Sequence, residues 1–208
     1  LEGVRAGSVT TGAAETQLLE QLRAQPFEDL GFAKVDHHRA VRQGFPEVIL
    51  GLGKTPGQIA GIAARIAGHG APLLVTRATP EAFAAVQAVL PGVEYHELAR
   101  AITLKKDVPH GAGTVAIVSA GTSDLPVAEE AAVTAEVMGN DVTRIYDVGV
   151  AGIHRVLAER GRLEAARVIV VVAGMEGALP SVVAGMVHGP VIAVPTSVGY
   201  GASFGGIA

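Results

Sequence analysis

The chain has 208 residues, of which 49% are hydrophobic and 17% charged, with a formal net charge of -4 and a mean hydropathy of +0.40. This length fits one large domain or two small ones. The negative balance removes the electrostatic case for nucleic acid or an acidic membrane surface, and 4% aromatic residues with no Trp argue against a base-stacking platform.

The absence of Cys excludes disulfides, thiolate zinc sites and a cysteine nucleophile within these residues. No unbroken apolar stretch reaches the roughly 18 residues a membrane helix needs. The high hydropathy then points to strands covered on both faces, which read as short runs of Val, Ile and Ala. Residues 1–14 lack the basic region and apolar core of a signal peptide, so a cytoplasmic location is expected. The chain begins at Leu1 and stops just after Gly205 and Gly206, in what reads as the start of a helix, so native sequence is expected to continue past Ala208.

In chain order, 32–36 and 48–50 read as strands, 56–67 as a helix, 72–76 as a strand, 80–89 as a helix and 93–98 as a strand. The stretch 105–113 (KKDVPHGAG) is polar and rich in Gly and Pro. It divides the chain into an N-terminal α/β domain over 1–108 and a second domain over 113–208. From Thr114 a strand–helix rhythm recurs about every 25 residues, the spacing of right-handed crossovers in a parallel sheet. Strands are expected at 114–119, 142–146, 167–173 and 191–194. Helices are expected at 126–138, 153–160 and 179–187.

Two loops of the second domain echo each other: SAGTSDLP from Ser119 to Pro126, and AGMEGALP from Ala173 to Pro180. Each sets Ala-Gly at a strand end and Leu-Pro in the first turn of the next helix, where proline is favoured. Ser123 or Asp124 is expected to cap the first of these helices. Such loops are either ordinary tight turns or a ligand site. Two of them at the C-terminal ends of neighbouring strands favour a site.

A third loop, DVGVAGIHR from Asp147 to Arg155, leads to His154. That histidine is either inert on a helix face or a group that contacts phosphate or moves a proton. A fourth, PTSVGYGASFGG from Pro195, offers the hydroxyls of Thr196, Ser197, Tyr200 and Ser203. Glu176 lies among tiny and apolar residues, either complementing a helix dipole or acting as a general base. In the first half, Asp36-His37-His38-Arg39 invites a metal reading. Adjacent histidines on a strand face opposite ways, so structural or substrate-contacting roles rank ahead of ligation and no metal site is assigned.

The order GTSD, GIHR, AGMEGALPSVVAG, PVIAVPT resembles the carboxyaminoimidazole ribonucleotide mutase (PurE) fold. Gly152–Arg155 replaces that family's serine-bearing loop, and Met175–Glu176 intrudes into the third loop. These departures, with FAKVDHHRAVRQGFPEVILG from Phe32 to Gly51, resemble the LarB family, over the chain from about Phe27 onward. The resemblance implies a flavodoxin- or Rossmann-like three-layer parallel-sheet domain preceded by a smaller α/β domain.

It also implies a reaction. LarB-like enzymes add carbon dioxide to C5 of the pyridinium ring of nicotinic acid adenine dinucleotide and cleave its phosphoanhydride. The products are the biscarboxylated mononucleotide, a precursor of the nickel-pincer cofactor, and AMP. The family's ring nucleophile is a cysteine, expected here beyond Ala208. Glu176 is implied as the catalytic carboxylate. Ser119, Gly121, Thr122, Ser123 and Asp124 are implied to hold phosphate or ribose. The remaining substrate contacts implied are Asp147, Gly149, Gly152, His154, Arg155, Gly174, Met175, Gly177, Ala178, Ser197, Tyr200 and Gly201. No tightly bound cofactor is expected, magnesium with the diphosphate is compatible, and the assembly implied is a homo-octamer.

Two rival functions remain: a purine-pathway mutase, and a non-catalytic nucleotide-binding regulator. A nicotinamide-dependent dehydrogenase is disfavoured because no strand runs into G-x-G-x-x-G.

Overall fold

The computed structural model describes residues 2–23, 26–106, 108–174 and 177–197. Two helices, α1 (Glu2–Arg5) and α2 (Thr11–Arg23), lead into a hairpin of β1 (Phe27–Asp29) and β2 (Lys34–Asp36). Its turn is built by Asp29, whose carboxylate accepts the Gly31 N–H at 2.8 Å while Gly31 takes φ 79°. The strand expected at 32–36 is thus shorter and paired with a partner the sequence did not reveal.

The rest of the first domain is α3 (Arg39–Gln43), β3 (Ile49–Leu50), α4 (Pro56–Gly68), β4 (Leu73–Thr76), α5 (Pro80–Val89), β5 (Glu94–His96) and β6 (Ala101–Leu104). The α4 start is a complete capping box: Thr55 accepts the Gln58 N–H at 3.2 Å, and the Gln58 side chain accepts the Thr55 N–H at 3.0 Å. The sheet order is β3-β4-β6-β5, with β3 and β4 parallel and the last two pairings antiparallel. β6 was not expected. Alternation splits the sheet into two apolar faces. Leu73, Val75 and Ile102 pack under α4 and α5, while Leu74 and Ala101 face the other way.

The second domain comprises β7 (Thr114–Ser119), α6 (Leu125–Val137), β8 (Asp141–Ile145), α7 (Ile153–Ala158), α8 (Arg160–Ala165), β9 (Val168–Ala173), α9 (Ala178–Ala184) and β10 (Val191–Pro195). Its sheet is entirely parallel, in the order β8-β7-β9-β10. Counted within the domain this is 2-1-3-4, the flavodoxin-like winding, and it bears out the expected fold class. The seven expected elements are present, with bounds shifted by up to three residues. The exception in detail is the helix expected at 153–160, which breaks at Glu159 into α7 and α8.

Helix α6 is shared by both domains. Ala128 and Ala132, one turn apart, pack against Ile117 and Val172 of the parallel sheet. Val133 and Val137 pack against Leu74, Ala99 and Ala101 of the first domain. Arg77 adds an ion pair to Glu130 on the same helix, at 2.6 Å. One helix therefore lies between two sheets.

The expected cap of α6 needs correction. Asp124 stands at the cap position, but its backbone is already helical and its side chain makes no capping bond. The carboxylate instead accepts the Gly121 N–H at 3.0 Å and the Thr196 hydroxyl at 2.7 Å. Pro126 does sit in the first turn of α6, where its missing N–H costs nothing.

Candidate active site

The loops after β7, β8, β9 and β10 are laced together by short backbone bonds. The Ala120 N–H donates to the Val172 carbonyl at 3.0 Å, joining the β7 loop to β9. The Val148 N–H donates to the Ser119 carbonyl at 3.1 Å, and the Gly149 N–H to the Ala120 carbonyl at 2.8 Å. The Thr196 N–H donates to the Ala173 carbonyl at 3.1 Å.

A cleft of about 440 Å³ opens where these loops converge, at the point where crossovers leave β7 in opposite directions. Ligands in open α/β sheets collect there because two neighbouring loops diverge and leave a crevice. Ala120, Gly121, Ser123 and Asp124 form one side. Asp147, Gly149, Val150, Ala151 and Arg155 form the second, and Ala173, Gly174, Ala178 and Leu179 the third. Small side chains make the room. A Cβ on Gly149 would come within 2.8 Å of the Ala120 carbonyl oxygen, so only glycine allows these two loops to meet.

The charged pair in the cleft is Asp147 and Arg155, 2.9 Å apart and both partly exposed. Asp147 holds φ 58°, unusual for a non-glycine residue. Its N–H donates to the Ser119 hydroxyl at 3.3 Å. A guanidinium at this position suits a phosphate or carboxylate, because its planar donors match such oxygens two at a time. The pair also holds the arginine in one orientation.

Of the residues expected at the site, Gly121, Ser123, Asp124, Asp147, Gly149, Arg155, Gly174 and Ala178 line this cleft. Ser119 is fully buried beneath it and carries the β8 loop. Gly152 lies under the Arg155 guanidinium, where a Cβ would be 2.7 Å from Nε. Gly177 takes the left-handed conformation that starts α9. Thr122, His154 and Ser197 are exposed and are not among the lining residues. Met175, Glu176, Tyr200 and Gly201 lie outside the described residues.

Sequence reasoning did not single out Val150, Ala151 and Leu179, the apolar wall. A search for chemistry-bearing side chains passes over such residues. Nor did it find the link between Asp124 and Thr196, which lie 72 residues apart in sequence.

His37, His38 and His69 of the first domain line a separate cavity of about 220 Å³. His37 and His38 sit in a turn after β2 and not on a strand, so both line the same cavity. The His37 ring stacks on His69 with centroids 3.7 Å apart, and Glu28 lies 3.6 Å from its Nε2. Burial, and then the neighbouring His69, hold the His37 pKa below the ordinary histidine value, against the pull of Glu28. Asp36, bonded by Arg42, is held below the usual carboxylate range. Among the described residues, no cluster of three or more His, Asp or Glu side chains could hold a metal ion, and no helix is long and apolar enough to cross a membrane.

A parallel sheet in flavodoxin order, with a small-residue cleft at its switch point and an oriented arginine, is an α/β arrangement able to receive a small anionic molecule. Residues 27–106 match the family described as LarB/PurE-like N-terminal domain, and residues 114–205 match the one described as AIR carboxylase. An uncharacterized protein of Methanocaldococcus jannaschii is 37% identical over 195 residues, covering 89% of this chain and 76% of that protein. The chain belongs to the LarB family, with its PurE-like, carboxylase-type domain second in the chain.

Proposed function

We propose that the protein carboxylates the pyridinium ring of nicotinic acid adenine dinucleotide at C5 and hydrolyses its phosphoanhydride. The products are pyridinium-3,5-biscarboxylic acid mononucleotide and AMP. The reading is supported by one observation above others: the loops that carry the family resemblance, GTSD and the Asp147–Arg155 segment, meet at a single cleft of nucleotide size. A cleft near 440 Å³ falls within the roughly 300–1,000 Å³ of ligand sites and suits one nucleotide.

The chemistry must make an electron-poor ring carbon nucleophilic. A thiolate adds to the ring and turns it into a dihydropyridine, in which C5 is electron-rich. C5 then attacks carbon dioxide, its proton passes to a base, and expulsion of the thiolate restores the aromatic ring. In a second step water cleaves the bond between the two phosphorus atoms' bridging oxygen and one phosphate. The resemblance assigns the thiolate to a cysteine, and these 208 residues contain none. Glu176 is the proposed base, for the C5 proton or the hydrolytic water. Arg155 would exchange Asp147 for an anionic group of the substrate, and the Ser123 side of the cleft would meet phosphate or ribose. The active form is proposed as a homo-oligomer, an octamer as in the related fold, with magnesium accompanying the diphosphate.

The test is mass spectrometry of products after incubation with the dinucleotide and labelled bicarbonate. A form supplied with a cysteine-bearing segment of the family should give labelled product and AMP, and residues 1–208 alone should give none. Glu176→Gln in the active form should abolish carboxylation and keep dinucleotide binding, and retained turnover would remove the general-base role. No product from any form leaves the mutase or a binding-only role.

A further inference from the structure

We propose that the histidine-lined cavity of the first domain binds a small monocarboxylic acid, with its carboxylate on the imidazoles of His37 and His38 and its short apolar body against Val41, Pro46 and Ile66. The cavity shares no lining residue with the cleft of the second domain.

The acidic groups around the cavity are already matched. Asp36 is bonded by Arg42 and accepts the His38 N–H at 3.1 Å. Glu47 accepts the Asp36 N–H at 2.7 Å, and Glu28 pairs with Arg65 at 2.9 Å. The imidazoles are not matched. Nε2 of His37 and Nε2 of His38 are both buried and have no hydrogen-bond partner, and the His37 side chain is only 10% exposed. Buried polar atoms are nearly always paired, because a bare one keeps its desolvation cost. Two bare nitrogens on rings that line one cavity therefore call for a partner from outside the chain. A half-turn about Cβ–Cγ keeps the His37 ring in its plane, stacked on His69, and exchanges its two nitrogens, so either can meet a ligand. His69 is the fixed member of the stack, its Nδ1–H donating to the Arg65 carbonyl at 2.9 Å.

The lining selects the class of ligand. Among the described residues no three metal-ligating side chains converge, which leaves hydrogen bonding as the chemistry of these rings. No Lys or Arg lines the cavity, so a dianionic phosphate would be left without compensation. A single negative charge needs one imidazolium. Burial and His69 favour the neutral His37 ring, and an anion beside it favours the protonated one, so binding takes up a proton. The charged and titratable groups packed around that ring are Glu28 on β1, Asp36 and His38 beside it in the chain, Arg42 on α3, Glu47 before β3, and Arg65 and His69 at the end of α4. The rest of the wall is apolar and suits a hydrocarbon body. At about 30 Å³ for each water-sized group, the 220 Å³ cavity holds about seven of them, enough for a short-chain acid.

Titration calorimetry on the full chain tests this with acetate, propionate, butyrate and inorganic phosphate. It is run at pH 6 and pH 8, in two buffers of different ionisation heat, which counts protons. We expect saturable binding of butyrate, tighter at pH 6 than at pH 8, with net proton uptake. Each added CH₂ should tighten binding about three- to fourfold, the factor for one buried CH₂. Ala40 is exposed on α3 and lines the cavity, so Ala40→Leu should fill the space and weaken butyrate about tenfold or more with Tm little changed. His37→Gln keeps a polar side chain and removes the titrating ring. It should weaken butyrate at pH 6 and abolish the proton uptake, independently of the first variant.

No saturable heat with butyrate at either pH overturns the site and leaves a water-filled cavity. Phosphate bound more tightly than butyrate overturns the class of ligand. Butyrate binding that neither variant weakens lies elsewhere on the protein and overturns the proposal as well.

Discussion

At the scale of single residues, the polar side chain with the most structural consequence in the cleft is Asp124. It is 5% exposed, and both carboxylate oxygens are engaged, one by the Gly121 N–H and one by the Thr196 hydroxyl. A buried carboxylate that loses a donor keeps its desolvation cost and forfeits the compensation. Thr196→Val, similar in shape, should therefore destabilise by about 1–3 kcal/mol, while Thr196→Ser should cost under about 1 kcal/mol. Urea denaturation of the two variants checks this, and equal costs would show that shape matters more than the bond. His37 makes a prediction of opposite chemistry. Its folded pKa lies below the unfolded value, so as pH falls below about 6.5 the unfolded chain takes up a proton first. Stability should fall across that window, down to the folded pKa. The groups facing the ring are His69, Glu28 and Asp36. Thermal melts between pH 7.5 and 5 should show a shallower loss for His37→Gln than for the native protein.

At the scale of elements, the loops depend on close backbone approach more than on side-chain bonds. Gly149→Ala drives a Cβ to within 2.8 Å of the Ala120 carbonyl oxygen, and backbone cannot yield as a flexible side chain can. Overpacking of this kind costs about 1–3 kcal/mol, and the β7 and β8 loops must part to relieve it. Reduced ligand affinity should accompany the lowered Tm. If Tm alone drops, the two loops are not the binding surface. The parallel strands were legible because burial on both faces writes them as runs such as Val168–Ala173, with Gly174 directly after. The first domain hid its pairing for a specific reason. The β5–β6 turn runs through Glu97–Arg100 without glycine or proline, and Arg100 takes the left-handed conformation that glycine normally signals. The α7–α8 break at Glu159 likewise lacks a proline. Within the site, the glycines and Arg155 were legible, while the apolar wall and the Asp124–Thr196 bond needed three dimensions, since neither leaves a local pattern.

At the scale of the whole molecule, α6 decides whether two domains behave as two. A helix covering one sheet shows one apolar stripe. This one buries Ala128 and Ala132 on the parallel sheet and Val133 and Val137 on the mixed sheet. Neither sheet can keep its second face dry without α6, so neither domain is expected to outlive the other on heating. Leu74 tests this. It is 1% exposed, belongs to the first domain, and packs against the second through Val133 and Val137. Leu74→Ala removes buried methyl groups and should cost about 2–5 kcal/mol. If α6 couples the domains, calorimetry will show one transition moved to lower temperature, with calorimetric and van't Hoff enthalpies still equal. If the domains are independent, the peak will split, with the parallel-sheet domain melting at its original temperature.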